Sequence, residues 1–189
     1  MTPNPEPERF RRIDAAFRAG DLAALRAAVE DPEVVPNGAA MLLAIGLCLE
    51  YAIYHSPIAF IQTLLEIGAN PNPDRGDHSG FPPLIAALSC GRSQPGSPVR
   101  PDVLDIMKLL LKFGADPNQR GINDYTPLHM AVGEQNLAAI RLLLEAGADP
   151  ALRTRVDDYE TPCEMAVKAG LGEIAEALGR AVRPIGRSN

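Results

Sequence analysis

The run Thr126-Pro-Leu-His-Met-Ala131, followed by Leu137-Ala-Ala-Ile-Arg-Leu-Leu-Leu-Glu-Ala-Gly147-Ala-Asp149, decides the fold of this chain. Thr before Pro is typical of a helix start, and Gly after the last apolar turn is typical of a helix end. Between them, a spacing of three and four places four apolar residues on one stripe of a helix. They are Leu137, Ile140, Leu143 and Leu144. One helix cannot bury such a stripe alone, so the segment predicts a helix that packs against neighbours.

The same segment recurs along the chain. Ile106, Ile140 and Ile174 occupy equivalent helix positions 34 residues apart. The opening returns as Thr161-Pro-Cys-Glu-Met-Ala166, and the ending appears also as Gly114-Ala-Asp-Pro-Asn118 and Gly68-Ala-Asn-Pro-Asn72. Self-similarity at this period predicts a solenoid, in which each unit buries its apolar face against the next unit.

Three units depart from the pattern at their first turn. Leu47-Cys48 stands where Thr-Pro is expected, and Pro82 replaces Thr in the third unit. In that third unit, Ser93 to Pro101 separates the two helices. We interpret this segment as a tolerated loop insertion, with a second contact site as the alternative. Ile13 to Val29 keeps the helix pair without Thr-Pro, and we expect it to be a cap.

These openings, leucine runs and closing glycines resemble the ankyrin repeat family over roughly residues 10–180. The resemblance implies an all-α fold, an ankyrin-repeat solenoid of about five helix-turn-helix units with short β-hairpin fingers. The expected units are about 9–36, 37–77, 78–121, 122–156 and 157–181. We expect residues 1–8 to be a disordered N-terminus and residues 182–189 to be a mobile C-terminal tail.

Composition narrows the class of protein. A net charge of −6 argues against non-specific binding to nucleic acid or to anionic membranes, and mildly favours basic partners. The first residues lack a basic region followed by an apolar run, so we expect a cytoplasmic protein. We also expect the protein to be monomeric on its own. Cys48, Cys90 and Cys163 are widely spaced and odd in number, which fits neither a disulfide framework nor a zinc site.

Three motifs suggest chemistry, but their context argues against it. In Asn70-Pro-Asn-Pro-Asp-Arg-Gly76, Gly falls one place late for a calcium loop, and Phe81 stands where the bidentate Glu belongs. Gly170-Leu-Gly-Glu-Ile-Ala175 matches a dinucleotide fingerprint, but it joins two predicted helices rather than a strand and a helix. His129 ends the Thr-Pro-Leu-His opening, where the resemblance implies a structural imidazole rather than a general base. We therefore expect no cofactor, no bound metal and no enzymatic activity.

The resemblance implies that partner contacts lie on the fingers before each opening and at the ends of the first helices. Carried over by position, the candidate partner-binding residues are Tyr54, His55, His78, Phe81, Ile122, Asn123, Tyr125, Glu134, Asp157, Asp158, Glu160 and Lys168. Ser79 lies among them. Phe81 and Tyr125 come just before successive openings, where they would anchor a partner or else pack between fingers.

Charges on the same fingers allow two interpretations. Charges of both signs lie on these fingers, and they would form a ladder of exposed ion pairs between adjacent fingers. They are Arg120 with Asp124, then Arg153 and Arg155 with Asp157 and Asp158. Alternatively, the carboxylates at Asp157, Asp158 and Glu160 would steer a basic partner.

The sequence thus predicts a non-catalytic module that binds another protein through the concave groove and finger tips. The alternative is an inhibitor, or an immunity or antitoxin protein, that blocks a partner enzyme. Only an inhibitor would abolish its partner's activity at an equimolar ratio.

Overall fold

The computed structural model describes residues 6–41, 45–73, 81–90, 100–121, 124–155 and 158–182. Within these residues, helices form five successive pairs, which we number as units 1 to 5. The pairs are α1 (Glu6–Ala19) with α2 (Leu22–Ala28), α3 (Cys48–His55) with α4 (Ile58–Glu66), α5 (Pro83–Ser89) with α6 (Val103–Lys112), α7 (Pro127–Gly133) with α8 (Leu137–Glu145), and α9 (Pro162–Lys168) with α10 (Gly172–Val182).

Each pair packs on the next one. The first helices make contacts in the order α1, α3, α5, α7 and α9, and the second helices in the order α4, α6, α8 and α10. Between units 1 and 2, β1 (Ala39–Met41) pairs antiparallel with β2 (Ile45–Leu47), following a 3-10 helix at Pro32–Val34. This is the all-α solenoid with short fingers that the sequence predicts.

The helices extend past both predicted ends of the repeat domain. Helix α1 begins at Glu6, so residues 6–8, which we expected in the disordered N-terminus, are helical. Glu6 and Glu8 lie in the first turn of α1, where carboxylates interact favourably with the helix dipole. At the other end, α10 extends one residue past the predicted boundary, to Val182. The remaining terminal residues, 1–5 and 183–189, lie outside the described residues.

The core lies between units, and the first helices of units 2 to 4 are covered on both sides. Every residue of α5 is buried, since α3 and α7 flank it. The residue that directly follows each six-residue opening shows the effect of position in the stack. Ile53, Leu88 and Val132 are at most 1% exposed, whereas Val167 in unit 5 is 65% exposed. Burial at this position therefore comes from the following unit.

Left-handed glycines end the second helices, as the sequence predicts. Gly68, Gly114 and Gly147 have φ of +95°, +86° and +89°. A Cβ at any of these positions would meet nothing within 4 Å, so the backbone conformation, and not crowding, requires glycine.

Asparagine side chains connect three of the fingers to the ends of the second helices α4, α6 and α8. The Asn72 amide nitrogen donates to the Gly114 carbonyl at 2.8 Å, and its amide oxygen accepts from the Asp116 N–H at 2.6 Å. Asn37 makes the same two bonds to Gly68 and Asn70, and Asn118 makes them to Gly147 and Asp149. We call these three side chains the asparagine clamps. The equivalent residue in the next finger is Ala151, which has no amide to offer.

His129 connects units 4 and 5, in the structural role that the resemblance implies. Its Nε2 lies 3.0 Å from the Glu160 carbonyl, which can only accept, so Nε2 carries the proton. Its Nδ1 then accepts from the Thr126 N–H at 3.3 Å and from the Thr126 hydroxyl at 2.8 Å. Burial lowers the pKa of His129, so the imidazole is held neutral.

Replacing Asn72 by Ala should destabilise the stack. The change removes two side-chain bonds to backbone, each with a net contribution of about 0.5–1.5 kcal/mol, so we expect a loss of about 1–3 kcal/mol. Urea unfolding followed by circular dichroism measures this loss. Ala151→Asn is the matched control. It should change stability by less than about 0.5 kcal/mol, because no Gly-Ala-Asp ending follows α10 in the sequence. An Asn72→Ala protein that unfolds at the wild-type midpoint would contradict the clamp.

Stability should fall as the pH drops below about 6.5, the ordinary pKa of histidine. Burial lowers the pKa of His129 and of His55, so below that pH the unfolded chain binds protons that the folded chain excludes. Their stabilising contribution is complete above pH 6.5 and is lost as the pH falls. Urea unfolding from pH 7 to pH 5 tests this. His129→Gln should unfold more easily at pH 7 but show a shallower decline, and His55→Gln isolates the second imidazole. An unchanged decline in both variants would refute the assignment.

Candidate partner-binding groove

Eight of the twelve candidate residues lie in the part of the chain that the structure describes. They are Tyr54, His55, Phe81, Tyr125, Glu134, Asp158, Glu160 and Lys168. The other four, His78, Ile122, Asn123 and Asp157, lie outside the described residues, as does Ser79.

The structure brings three candidates together at the C-terminal end of the groove. The Lys168 ammonium contacts the Asp158 carboxylate and lies 3.0 Å from a Glu160 carboxylate oxygen. These contacts join the last finger to the last turn of α9, and so form a corner of the groove. The Asp158 carboxylate, followed by that of Glu160, raises the pKa of Lys168. Two of the three carboxylates that were considered for steering a basic partner therefore already bind a cation of the same chain.

An ion pair connects adjacent fingers, as the ladder interpretation expects. Asp124 accepts from Arg120 of its own finger at 2.5 Å and from Arg155 of the next finger at 2.7 Å. Arg155 is the main cause of the lowered pKa of Asp124. Arg155 thus reaches back one finger, while Asp157 lies outside the described residues.

Arg153 binds a carboxylate of the helix that follows its finger. Its guanidinium makes two bonds of 2.7 Å to the Glu164 carboxylate. These bonds lower the pKa of Glu164 to about 2. Glu164 also accepts from the Thr161 N–H at the start of α9. The pair therefore fixes the base of the last finger against its helix.

The two aromatic candidates have neighbours within the chain. The Phe81 N–H donates to the Glu50 carboxylate at 2.8 Å, and the half-buried Phe81 ring packs against the core. The Tyr125 ring centroid lies 5.7 Å from that of His129. Packing between fingers, the alternative raised from the sequence, therefore has support for Phe81. Partner contact by these rings stays a prediction.

Tyr54 and His55 lie at the end of α3, where unit 1 packs on unit 2. Burial raises the pKa of Tyr54 and lowers the pKa of His55. The His55 ring lies 4.3 Å from Tyr51, whose hydroxyl donates to Asp14 of unit 1 at 2.7 Å. These side chains are half-buried, and His55 takes part in the contact between units. Glu134, the remaining candidate, caps the C-terminus of α7.

Sequence reasoning missed Tyr159, which is 61% exposed and has φ of +53°. This backbone region is costly for a bulky side chain. The conformation is held in part by Arg153, which donates to the Tyr159 carbonyl at 2.8 Å. The repeat pattern of the sequence held a signal for this conformation, because Tyr159 and Asp124 occupy equivalent positions, two residues before Thr161 and Thr126. Asp124 also has positive φ, at +64°.

The residues that flank the insertion in unit 3 lie next to each other. The Arg100 N–H donates to the Cys90 carbonyl at 3.0 Å, while residues 91–99 lie outside the described part of the chain. The Arg100 guanidinium donates to the Ile53 and Ser56 carbonyls at 2.9 and 2.7 Å, and it pairs with Asp102. Arg100 therefore caps the end of α3.

The other motifs have structural roles. Asn70 accepts from the Asn72 N–H, and Asn72 is a clamp, so both amides of the calcium-like segment bind backbone. Gly170, with φ of +72°, turns the chain from α9 to α10. Among the described side chains, no group of three His, Cys, Asp or Glu is placed to hold a metal ion. Within the same residues, no helix has the length and apolar character that a membrane crossing requires.

Comparison with known proteins agrees with this geometry. The family model for ankyrin repeats (3 copies) matches residues 99–183. An ankyrin repeat-containing protein of Treponema pallidum is 47% identical over 51 residues, which cover 27% of this chain and 17% of that protein. Alpha-latrocrustotoxin-Lt1a of Latrodectus tredecimguttatus is 29% identical over 138 residues, which cover 72% of this chain and 8% of the toxin.

A third relative is the I-Kappa-B like protein H1 of Microplitis demolitor bracovirus, which is 37% identical over 68 residues. That match covers 34% of each protein. The chain thus spans between 8 and 34% of the length of these three relatives. Ankyrin repeats are generally protein–protein interaction modules. These matches identify residues 99–183 as ankyrin repeats, and the five stacked helix pairs agree with an ankyrin-repeat solenoid.

Proposed function

We propose that this chain is a non-catalytic module that binds a partner protein through its concave groove and its fingers. The observation that carries the proposal is Tyr159, an exposed aromatic side chain held at positive φ on the last finger. Tyrosine is among the residues that most often dominate binding energy, since it offers a large contact area and a hydroxyl group. A costly backbone conformation that presents such a side chain to solvent suggests a binding function.

The groove around Tyr159 is held in place before any partner arrives. Arg153 fixes the Tyr159 carbonyl, His129 fixes the Glu160 carbonyl, and Lys168 ties Asp158 to α9. Preorganised contact residues lose less entropy when they bind, which favours affinity. As part of the same proposal, we place the protein in the cytoplasm. Three free thiols, at Cys48, Cys90 and Cys163, suit a reducing compartment.

The double variant Tyr125→Ala with Tyr159→Ala tests the proposal. Proteins captured from a native extract by the wild-type chain are identified by mass spectrometry, and the affinity of the main partner is then measured. We expect the double variant to bind that partner at least about tenfold more weakly. We also expect its melting temperature to stay close to that of the wild type, because neither ring is fully buried.

Ile67→Ala is the matched control, because Ile67 is an exposed apolar residue at the end of a second helix. It should leave capture unchanged. Equal capture by all three proteins would refute the groove as the binding surface. If the partner is an enzyme, its activity at an equimolar ratio distinguishes inhibition from binding alone.

A further inference from the structure

The net charge of the chain is concentrated in one stretch of sequence. Residues 27–74 contain six carboxylates and no Lys or Arg. The rest of the chain contains the other 18 acidic residues and all 18 basic residues, so it is balanced. By formal count, the charge of −6 equals that of the stretch that leads from unit 1 into unit 2 and on to the following finger, and one of its carboxylates, Glu30, pairs with Arg9 of α1. The six acidic residues are Glu30, Asp31, Glu33, Glu50, Glu66 and Asp74.

A cavity of about 290 Å³ lies within this acidic part of the stack. Its walls are partly apolar and partly polar, and Glu50 is among the polar lining residues. The apolar lining residues include Pro36, Leu47, Pro73, Phe81 and Pro83.

The cavity is rigid. Three of its walls are prolines, whose rings fix the backbone φ. Asn37, which also lines the cavity, clamps Gly68 and Asn70 and so holds the first finger against the second. On the opposite side, the bond from the Phe81 N–H to Glu50 holds the third unit against α3. A preformed cavity of this kind costs little reorganisation when it is filled.

The volume indicates what the cavity can hold. It lies at the lower limit of about 300 Å³ for small-molecule sites, so it suits one apolar side chain better than a complete cofactor. Asp31 and Glu33 are exposed, and they precede the lining residue Pro36 by five and three positions. Three residues of chain keep Glu33 within about 11 Å of Pro36. Asp31 caps the 3-10 helix that contains Glu33, so a segment that placed an apolar side chain in the cavity would pass near carboxylates.

We propose that this acidic cavity, defined by its lining residues with Asp31 and Glu33, is the docking site for a basic segment of a partner protein. The segment carries Lys or Arg next to one large apolar side chain. Charge complementarity selects the basic residues and speeds their encounter, and the cavity takes the apolar anchor. The inference rests on the proposed function and adds the chemistry of the partner.

A displayed library of random peptides, selected against the full chain, tests this proposal. We expect enriched peptides to be net positive and to share an aliphatic or aromatic residue near the basic ones. The best peptide is then synthesised, and its affinity is measured by fluorescence anisotropy at low ionic strength and at about 0.15 M salt. Its binding should weaken as the salt concentration rises.

Two variants address the two halves of the site. Leu47→Trp fills the cavity and should weaken binding about tenfold or more. Asp31→Asn with Glu33→Gln removes two charges from an exposed surface and keeps a side-chain oxygen at position 31 to cap the 3-10 helix. It should weaken binding about threefold or more. Glu145→Gln with Glu176→Gln changes the net charge equally on exposed second-helix positions, and it should leave affinity unchanged.

The charge variant remains a valid test even if Leu47→Trp does not fold, because surface substitutions change stability by only about 0.5 kcal/mol. Enriched peptides without a positive charge, equal binding by the charge variant and the wild type, or no enrichment at all would overturn the proposal. If capture of the natural partner survives Asp31→Asn with Glu33→Gln but is lost with Tyr125→Ala and Tyr159→Ala, protein binding stands and the acidic docking site fails.

Discussion

The bond from an asparagine amide to a glycine carbonyl in the next unit holds units 1 to 4 at a common spacing. Helices α4, α6 and α8 each end at a left-handed glycine, whose carbonyl is left without a helical partner. The clamp of the preceding finger supplies that partner and also binds the N–H two residues later, as at Gly114 and Asp116. Two bonds from one planar amide fix both distance and orientation. With finger and helix end held in this way, the apolar faces of successive helix pairs meet at the separation that buries them.

The fourth residue of each opening makes a second contact between units. Its residue type differs from unit to unit, and the fold is kept. In unit 4, His129 donates to the Glu160 carbonyl, and in unit 2, Glu50 accepts from the Phe81 N–H. Both side chains reach the residue just before the next opening, one by donating and the other by accepting. In unit 3 the residue is Ile85, whose end methyl would lie 2.6 Å from a Cβ at Gly121. An apolar contact against glycine there replaces the polar bond.

Helix positions could be predicted from the sequence because their causes are local. Thr161 and Gly147 act within a few residues of where they stand, through the cap of α9 and the end of α8. The partners of the finger side chains are not local. Asp124 and Arg155 are 31 residues apart, and which carboxylate Arg155 reaches depends on how one finger lies against the next. A ladder of ion pairs between fingers could therefore be expected from the sequence, whereas its individual pairs could not.

The candidate groove was harder to predict for the same reason, and Tyr159 illustrates it. Its exposure and its positive φ follow from the bonds that hold residues 153, 154 and 160. In a stack stabilised mainly by contacts between nearest units, the cost of one strained residue is confined to its own unit and the one beside it. Tyr159 lies in unit 5, where, within the described residues, α9 packs on α7 alone among the first helices and Val167 is exposed. Among the described units, strain at Tyr159 weakens contacts with unit 4 alone, so a costly conformation that presents a side chain to a partner is tolerated at this position.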